Sequence, residues 1–199
     1  MTRPARERAP SGLVDRMART WARPRAGVRR EIETAEESRL LFYAFAASAL
    51  GVMAAVGGQL LNPSVAVGAQ REQWIVTQVV VGLFIRPIGL YAAAGVMGLA
   101  CRAAGGAGGW RDTRAACFWT ALTVAPAAVA LAVLGAGAEA YGVAPAGAAA
   151  AGLAAGSVLW ALLLAPGLAE AHGFRSSLPV FAAFAGLGAA AGMLGGLAG

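Results

Sequence analysis

Charged side chains are scarce in this sequence. Asp, Glu, Lys and Arg make up 13% of its 199 residues, while apolar residues make up 58%. Soluble domains usually contain about 25% charged and about 45–50% apolar residues. This composition excludes a disordered chain and an ordinary soluble domain, and it predicts an integral membrane protein.

Residue types that carry much enzyme and metal chemistry are also rare. The chain has no lysine, one histidine and two cysteines. Without lysine, the glycine-rich segment around Gly105, Gly106 and Gly108 lacks the GxxxxGK[ST] pattern of a phosphate-binding loop. We interpret this segment as a tight turn between two helices.

The single histidine, His172, follows Glu170 by two residues. Side chains at positions i and i+2 of a helix do not face each other, so this pair is not a metal site. Cys101 and Cys117 form no CxxC pattern, which favours neither a disulfide nor a zinc site. Because HExxH, Ser–His–Asp and paired-carboxylate arrangements are also missing from the sequence, we expect a non-enzymatic protein without metal or cofactor.

The charges divide the chain into two parts. Residues 1–39 hold ten of the 16 arginines and six of the ten acids, and residues 40–199 hold the remainder. The first part is predicted to be a short basic arm. The second is predicted to be an all-α bundle of five transmembrane helices, since about 20 apolar residues cross a bilayer. The predicted spans are 40–61, 80–101, 115–138, 146–169 and 178–198.

The arginines also predict an orientation. The arm, the loop 102–114 and the loop 170–177 carry 14 arginines on one side, and the loops 62–73 and 139–145 carry one on the other. The positive-inside rule makes the first side cytoplasmic. The N-terminus is therefore predicted in the cytoplasm and the C-terminus outside it.

Within the arm, residues 11–23 have the pattern of an amphipathic helix. Leu13, Met17 and Trp21 recur every four residues, and arginines flank them. Such a helix can lie in the headgroup layer and attract anionic lipids. A polar leader that only fixes topology is the alternative. Interleaved acids and few aromatic residues argue against nucleic-acid binding.

Arg86, followed by Pro87, is the one charge inside an apolar stretch. Counting back from Arg102 places it about 6 Å inside the outer boundary of its span. From there an arginine can reach the interface, so an outer-leaflet anchor is one interpretation. A contact with a solute or a lipid headgroup is the other, because charges within a span are usually functional.

Small residues recur at helical spacing in the last two spans. Gly152 and Gly156 form a GxxxG motif, and Gly188, Gly192 and Gly196 form a longer stripe. Such stripes allow close approach of helix backbones. They could serve packing within the bundle or the formation of a homo- or hetero-oligomer.

The segment 102–112, Arg-Ala-Ala-Gly-Gly-Ala-Gly-Gly-Trp-Arg-Asp, followed by Phe118-Trp119, resembles the conserved stretch of the Yip domain family. The segments 21–25, Trp-Ala-Arg-Pro-Arg, and 172–174, His-Gly-Phe, are similar to that family as well, and the resemblance extends over about residues 21–195. It implies a five-span membrane protein, here of the bacterial branch. Eukaryotic members are named for binding Ypt/Rab GTPases, but the acidic, tyrosine-containing N-terminal segment linked to that role is missing.

The resemblance and the charge pattern together predict a membrane-organising or scaffold protein of a bacterial inner membrane. A small transporter or permease subunit is the alternative. In that case Arg86, Gln78 and Gln59 would line a polar path, and Pro87, Pro126 and Pro166 would break helices near a site. The lack of a clear inverted repeat and of acids deep in the spans argues against transport.

Overall fold

The computed structural model describes residues 12–61 and 69–181, and all regular structure in these ranges is helical. A π-helical turn, Val81–Ile85, joins the fourth helix to the fifth. The α-helices are α1 (Leu13–Ala22), α2 (Pro24–Thr34), α3 (Glu37–Leu61), α4 (Ala69–Val80), α5 (Arg86–Ala103), α6 (Trp110–Ala140) and α7 (Ala148–Ala171).

Four helical stretches are long and apolar enough to cross a membrane. They are Glu37–Leu61, Gln70–Ala103, Trp110–Ala140 and Ala148–Ala171. A multi-pass membrane protein is thereby confirmed, and the first four predicted spans overlap these stretches. Residues 178–181 are helical, but most of the predicted span 178–198 lies outside the described residues, so the count of five stays a prediction.

The long helices pack around α6, which is the most buried of the four. Phe118, Trp119, Leu164 and Leu168 form the centre of the core together with Tyr43 of α3. Pro126 and Pro166 both lie inside continuous helices. Neither proline therefore interrupts its helix.

The beginning of the membrane bundle differs from the prediction. The sequence Thr34–Glu37 resembles a capping box and suggests that a helix begins near Thr34. Thr34 instead ends α2 and donates its hydroxyl hydrogen to the carbonyl of Arg30, 2.7 Å away. Glu37 pairs with Arg114 at 2.7 Å. The capping-box prediction is wrong, because the side chains of Thr34 and Glu37 both have other partners.

The helices α1 and α2 fold back onto the bundle, and we call them the α1–α2 cap (residues 13–34). Pro24 begins α2, where its missing N–H and fixed φ suit the first helical turn. Val28 is fully buried and belongs to the same core as Trp119. Leu13 and Met17, on the predicted apolar face of α1, are partly buried against this core, while Val14 is 78% exposed.

Candidate functional site

The glycine loop between α5 and α6 is a tight turn. Gly105 has φ +88°, a conformation that glycine adopts without steric cost. The amide of Gly106 donates to the carbonyl of Cys101 at 2.8 Å, and the amide of Gly105 donates to that of Arg102 at 2.9 Å. These two bonds form a Schellman motif that ends α5. At the other end of the loop, Asp112 accepts a hydrogen bond from the amide of Gly109 at 3.2 Å.

This loop lies directly against the end of α7. The amide of Ala107 donates to the carbonyl of His172 at 3.1 Å. A Cβ atom on Gly108 would lie 2.4 Å from the carbonyl oxygen of Ala171, and one on Gly106 would lie 2.8 Å from that of Cys101. The two glycines are therefore needed for close approach, and the loop and the segment 172–174 form one unit, which we call the loop clamp (residues 104–109 with 171–174).

His172 is buried at the centre of the loop clamp, with 2% of its surface exposed. Its Nε2 lies 3.0 Å from Oγ1 of Thr113. Because the Thr113 hydroxyl donates its single hydrogen to the carbonyl of Gly109 at 2.9 Å, we assign Nε2 of His172 as the donor. Its Nδ1 is buried and has no hydrogen-bond partner among residues 12–61 and 69–181.

This environment disfavours a charged imidazole. Burial lowers the pKa of His172, the positive charge of Arg102 lowers it further, and Asp112 opposes the shift. A protonated ring would also place an unsatisfied N–H at the buried Nδ1. His172 therefore acts as a neutral structural residue in the loop clamp.

Glu170 contacts a different element from His172. Its carboxylate lies 2.5 Å from Nε of Arg29 and 3.5 Å from Nε of Arg25. Arg25 also donates to the backbone carbonyls of Phe174 and Arg175. Glu170 therefore joins α2 to the end of α7, and the structure does not bring it together with His172 as one site.

A buried polar cluster that the sequence pattern does not predict lies under the α1–α2 cap. Arg16 donates to Glu31 at 2.8 Å, and the Tyr43 hydroxyl donates to the same carboxylate at 2.6 Å. Burial by itself would lower the pKa of Arg16, but Tyr43 and Glu31 together raise it. The indole N–H of Trp119 donates to Thr20 at 2.9 Å. In the sequence, the amphipathic pattern of residues 11–23 and the Phe118–Trp119 motif indicated parts of this region, but not the contacts between them.

Two loop arginines that count toward the orientation signal also join α6 to other helices, Arg111 to the end of α2 and Arg114 to the start of α3. Arg111 donates to the carbonyls of Ile32 and Ala35 at the end of α2. Arg114 makes a bidentate pair with Glu37, at 2.7 and 2.8 Å. The bonds from Arg111 satisfy carbonyl groups of the kind that every helix end leaves without an intrahelical donor.

A cleft of about 320 Å³ opens between the two helices of the cap. Its walls carry Arg16, Arg19, Arg23 and Arg30 together with Glu31. Arg19 pairs with Asp15 at 2.9 Å. Arg23 and Arg30 are exposed, and neither forms an ion pair with another residue in the described part of the chain.

Arg86 begins α5 directly after the π-helical turn. Its amide donates to the carbonyl of Val81, and Pro87 has no amide hydrogen to continue the helical pattern. A π-turn beside a proline is typical of functional positions in helices. The half-buried guanidinium of Arg86 lies against Gly51 of α3.

The glycine stripe of α7 faces α6. A Cβ atom on Gly152 would lie 2.5 Å from the carbonyl of Leu131, and one on Gly156 would lie 2.8 Å from Cβ of Ala128. These two glycines therefore permit close packing inside the bundle. Gly188, Gly192 and Gly196 lie outside the described residues.

No group of three His, Cys, Asp or Glu side chains that could hold an ion occurs in residues 12–61 and 69–181. Cys101 and Cys117 are buried free thiols.

Comparison with known proteins identifies a family that this chain matches. The family model described as the Yip1 domain matches residues 18–199. No curated protein and no solved structure matches the chain. The matched range contains the loop clamp, most of the cap and all four long helices.

Proposed function

Because the chain belongs to the Yip1 domain family, we propose that it is a non-enzymatic membrane-organising scaffold whose α1–α2 cap binds anionic lipid headgroups. The observation that carries this proposal is the arginine-lined cleft of the cap. Arg16 and Arg19 are neutralised by Glu31 and Asp15. The exposed Arg23 and Arg30 are then the groups that meet lipid phosphates, each contributing about 1 kcal/mol near an anionic surface.

The position of α1 supports this proposal. The indole N–H of Trp21 donates to the carbonyl of Thr123 at 3.3 Å, and Thr20 bonds to Trp119. Both α6 residues lie more than two turns beyond the start of that helix at Trp110. A basic helix beside the bundle at this level suits the headgroup layer, where tryptophan is enriched.

We place the cap in the cytoplasm of a bacterial cell and the bundle in its inner membrane. The arginine asymmetry supports this orientation, and a fifth span at 178–198 would put the C-terminus outside. The scaffold would act through lateral helix contacts, in a homo- or hetero-oligomer, and through the basic face of the cap. No observation favours a transporter or permease subunit.

Hydrogen–deuterium exchange in nanodiscs tests the lipid contact. The full chain is reconstituted in phosphatidylcholine with and without phosphatidylglycerol, and amide protection of residues 13–34 is compared. We expect greater protection with phosphatidylglycerol and a smaller gain in the Arg23→Gln and Arg30→Gln variants. The control Arg71→Gln removes one positive charge far from the cap along the sequence and should behave as wild type. Equal protection in both lipids would contradict the proposal.

Crosslinking in native membranes tests the scaffold role. A photoreactive residue at position 30 on the cap and another at position 158, on an exposed part of α7, would be compared after illumination. A scaffold should give reproducible protein adducts from at least one position. Lipid adducts alone at both positions would argue for a lipid-binding protein without protein partners.

A further inference from the structure

The guanidinium of Arg86 lies near mid-height of the bundle. A Cβ atom on Gly51 would lie 2.2 Å from its Nη1, and Gly51 is close to the middle of the 25-residue α3. Ala125 and Ala128, near the middle of the 31-residue α6, line the same cavity. This register is deeper than the count from Arg102 suggests, because that count measures position along one helix and ignores how neighbouring helices are aligned.

A charge at this depth needs a partner. Arginine stays protonated in proteins, and burial of an unpaired charge in an apolar region is strongly unfavourable. Arg86 makes no hydrogen bond or ion pair with residues in the ranges 12–61 and 69–181. Outside these ranges, the sequences 62–68 and 182–199 contain no Asp or Glu.

The acid that shares a cavity with Arg86 is too distant to pair with it. Glu139 accepts a hydrogen bond from the amide of Ala149 at 3.0 Å. It lies beyond the level of Gly58, because the Cβ position of Gly58 is 3.6 Å from Ala136, three residues before Glu139 on α6. Gly58 is seven residues beyond Gly51, which corresponds to about 10 Å along a helix.

Two cavities meet at Arg86. One has a volume of about 430 Å³ and extends from Gly51 toward Gln59 and Glu139. The other has a volume of about 640 Å³ and is the more open of the two, with walls that include Leu90, Val124, Leu153 and Trp160. Ala125 and Ala128 line both. The walls around the guanidinium are therefore mainly small or apolar, and Gly51 supplies the room that its side chain occupies.

From this arrangement we propose that Arg86 and the two cavities form a binding site for an amphiphilic oxyanion, with the anionic group on the guanidinium and the apolar chain against the cavity walls. A carboxylate or phosphate matches the planar donor geometry of arginine. A small hydrated anion would lose its water with few polar side chains to replace it. A fatty carboxylate and a phospholipid phosphate share the required chemistry.

Native mass spectrometry of the full chain in a non-ionic detergent tests this site. Oleate, dioleoylphosphatidylglycerol and inorganic phosphate are titrated separately. We expect one amphiphile to bind the wild-type protein, and Arg86→Gln to weaken that binding about tenfold or more, as expected for loss of a charge-assisted hydrogen bond. Arg71→Gln removes the same charge from another position and should leave binding unchanged.

A second variant separates binding from folding. Ala125→Leu keeps Arg86 but fills the space where the two cavities meet, and it should weaken binding by a similar factor. If Arg86→Gln fails to fold, the Ala125→Leu variant alone tests whether the amphiphile binds in these cavities. Unchanged amphiphile binding in the folded variants, or equal loss in Arg71→Gln, would overturn the proposal. Binding of phosphate alone would overturn the amphiphile assignment, while preference for oleate or for phosphatidylglycerol identifies the source of the oxyanion.

Discussion

The guanidinium of Arg16 lies 2.8 Å from the carboxylate of Glu31, and the two side chains are 16% and 1% exposed. Arg16 is also 5.2 Å from the centre of the Trp119 ring. The pair joins α1 to α2 directly above the core of the bundle. Removing one partner of a buried ion pair leaves the other charge without compensation.

We therefore expect Glu31→Gln to lower the free energy of unfolding by about 3 kcal/mol, the lower end for a broken buried pair. Chemical unfolding in detergent, followed by tryptophan fluorescence, measures this change. Asp15→Asn is the matched control, because it breaks the exposed pair with Arg19 and should cost less than about 1 kcal/mol. Equal effects of the two variants would show that the buried pair has no special role.

The loop clamp gives a second prediction. Gly108→Ala should destabilise the protein or lower its folded yield, because the added Cβ would lie 2.4 Å from the carbonyl of Ala171. Gly89→Ala is the control, since a Cβ at that helical position would meet nothing within 4 Å. Replacing a helical glycine there should stabilise by up to about 1 kcal/mol. Thermal unfolding and size-exclusion chromatography in detergent compare the two, and a stable Gly108→Ala protein would contradict the close contact.

The lowered pKa of His172 predicts loss of stability in acid. An unfolded histidine titrates near pH 6.5, whereas burial and Arg102 lower the pKa of the folded residue. Below about pH 6.5 the unfolded chain therefore binds the proton more readily than the folded chain. The stabilising contribution is complete above that pH and decreases as the pH falls toward the folded-state pKa.

Unfolding free energies of the wild type and of His172→Gln between pH 8 and pH 5 measure this effect. Because His172 is the single histidine in the chain, the wild type should lose more stability than the variant over this interval. Identical pH profiles would mean that His172 titrates equally in the folded and unfolded states.

Much of the membrane architecture can be predicted from the sequence, because the charge-free stretches, such as residues 40–61, are long enough to cross a bilayer. The Gly105–Gly109 pattern predicted a tight turn, but its contact with the His172 segment was not predicted, because that contact depends on how α5, α6 and α7 pack together. The Arg16–Glu31–Tyr43 cluster was not predicted either, because it depends on α1 folding back onto the bundle. The depth of Arg86 depends on helix register, which hydropathy does not define.

The glycine stripe of α7, Gly152 and Gly156, predicts a close contact between α6 and α7. Gly152 faces the backbone of Leu131. A Cβ atom on Gly152 would lie 2.5 Å from the carbonyl oxygen of Leu131. Gly152→Leu should therefore lower the yield of folded protein through loss of the close contact between α6 and α7. Leu153→Ala, on an exposed neighbouring position, should keep the fold. Fluorescence-detected size-exclusion chromatography distinguishes loss of folded protein from a shift to smaller assemblies. A folded Gly152→Leu protein with a reduced oligomeric state would instead assign this glycine to an interface between copies of the chain.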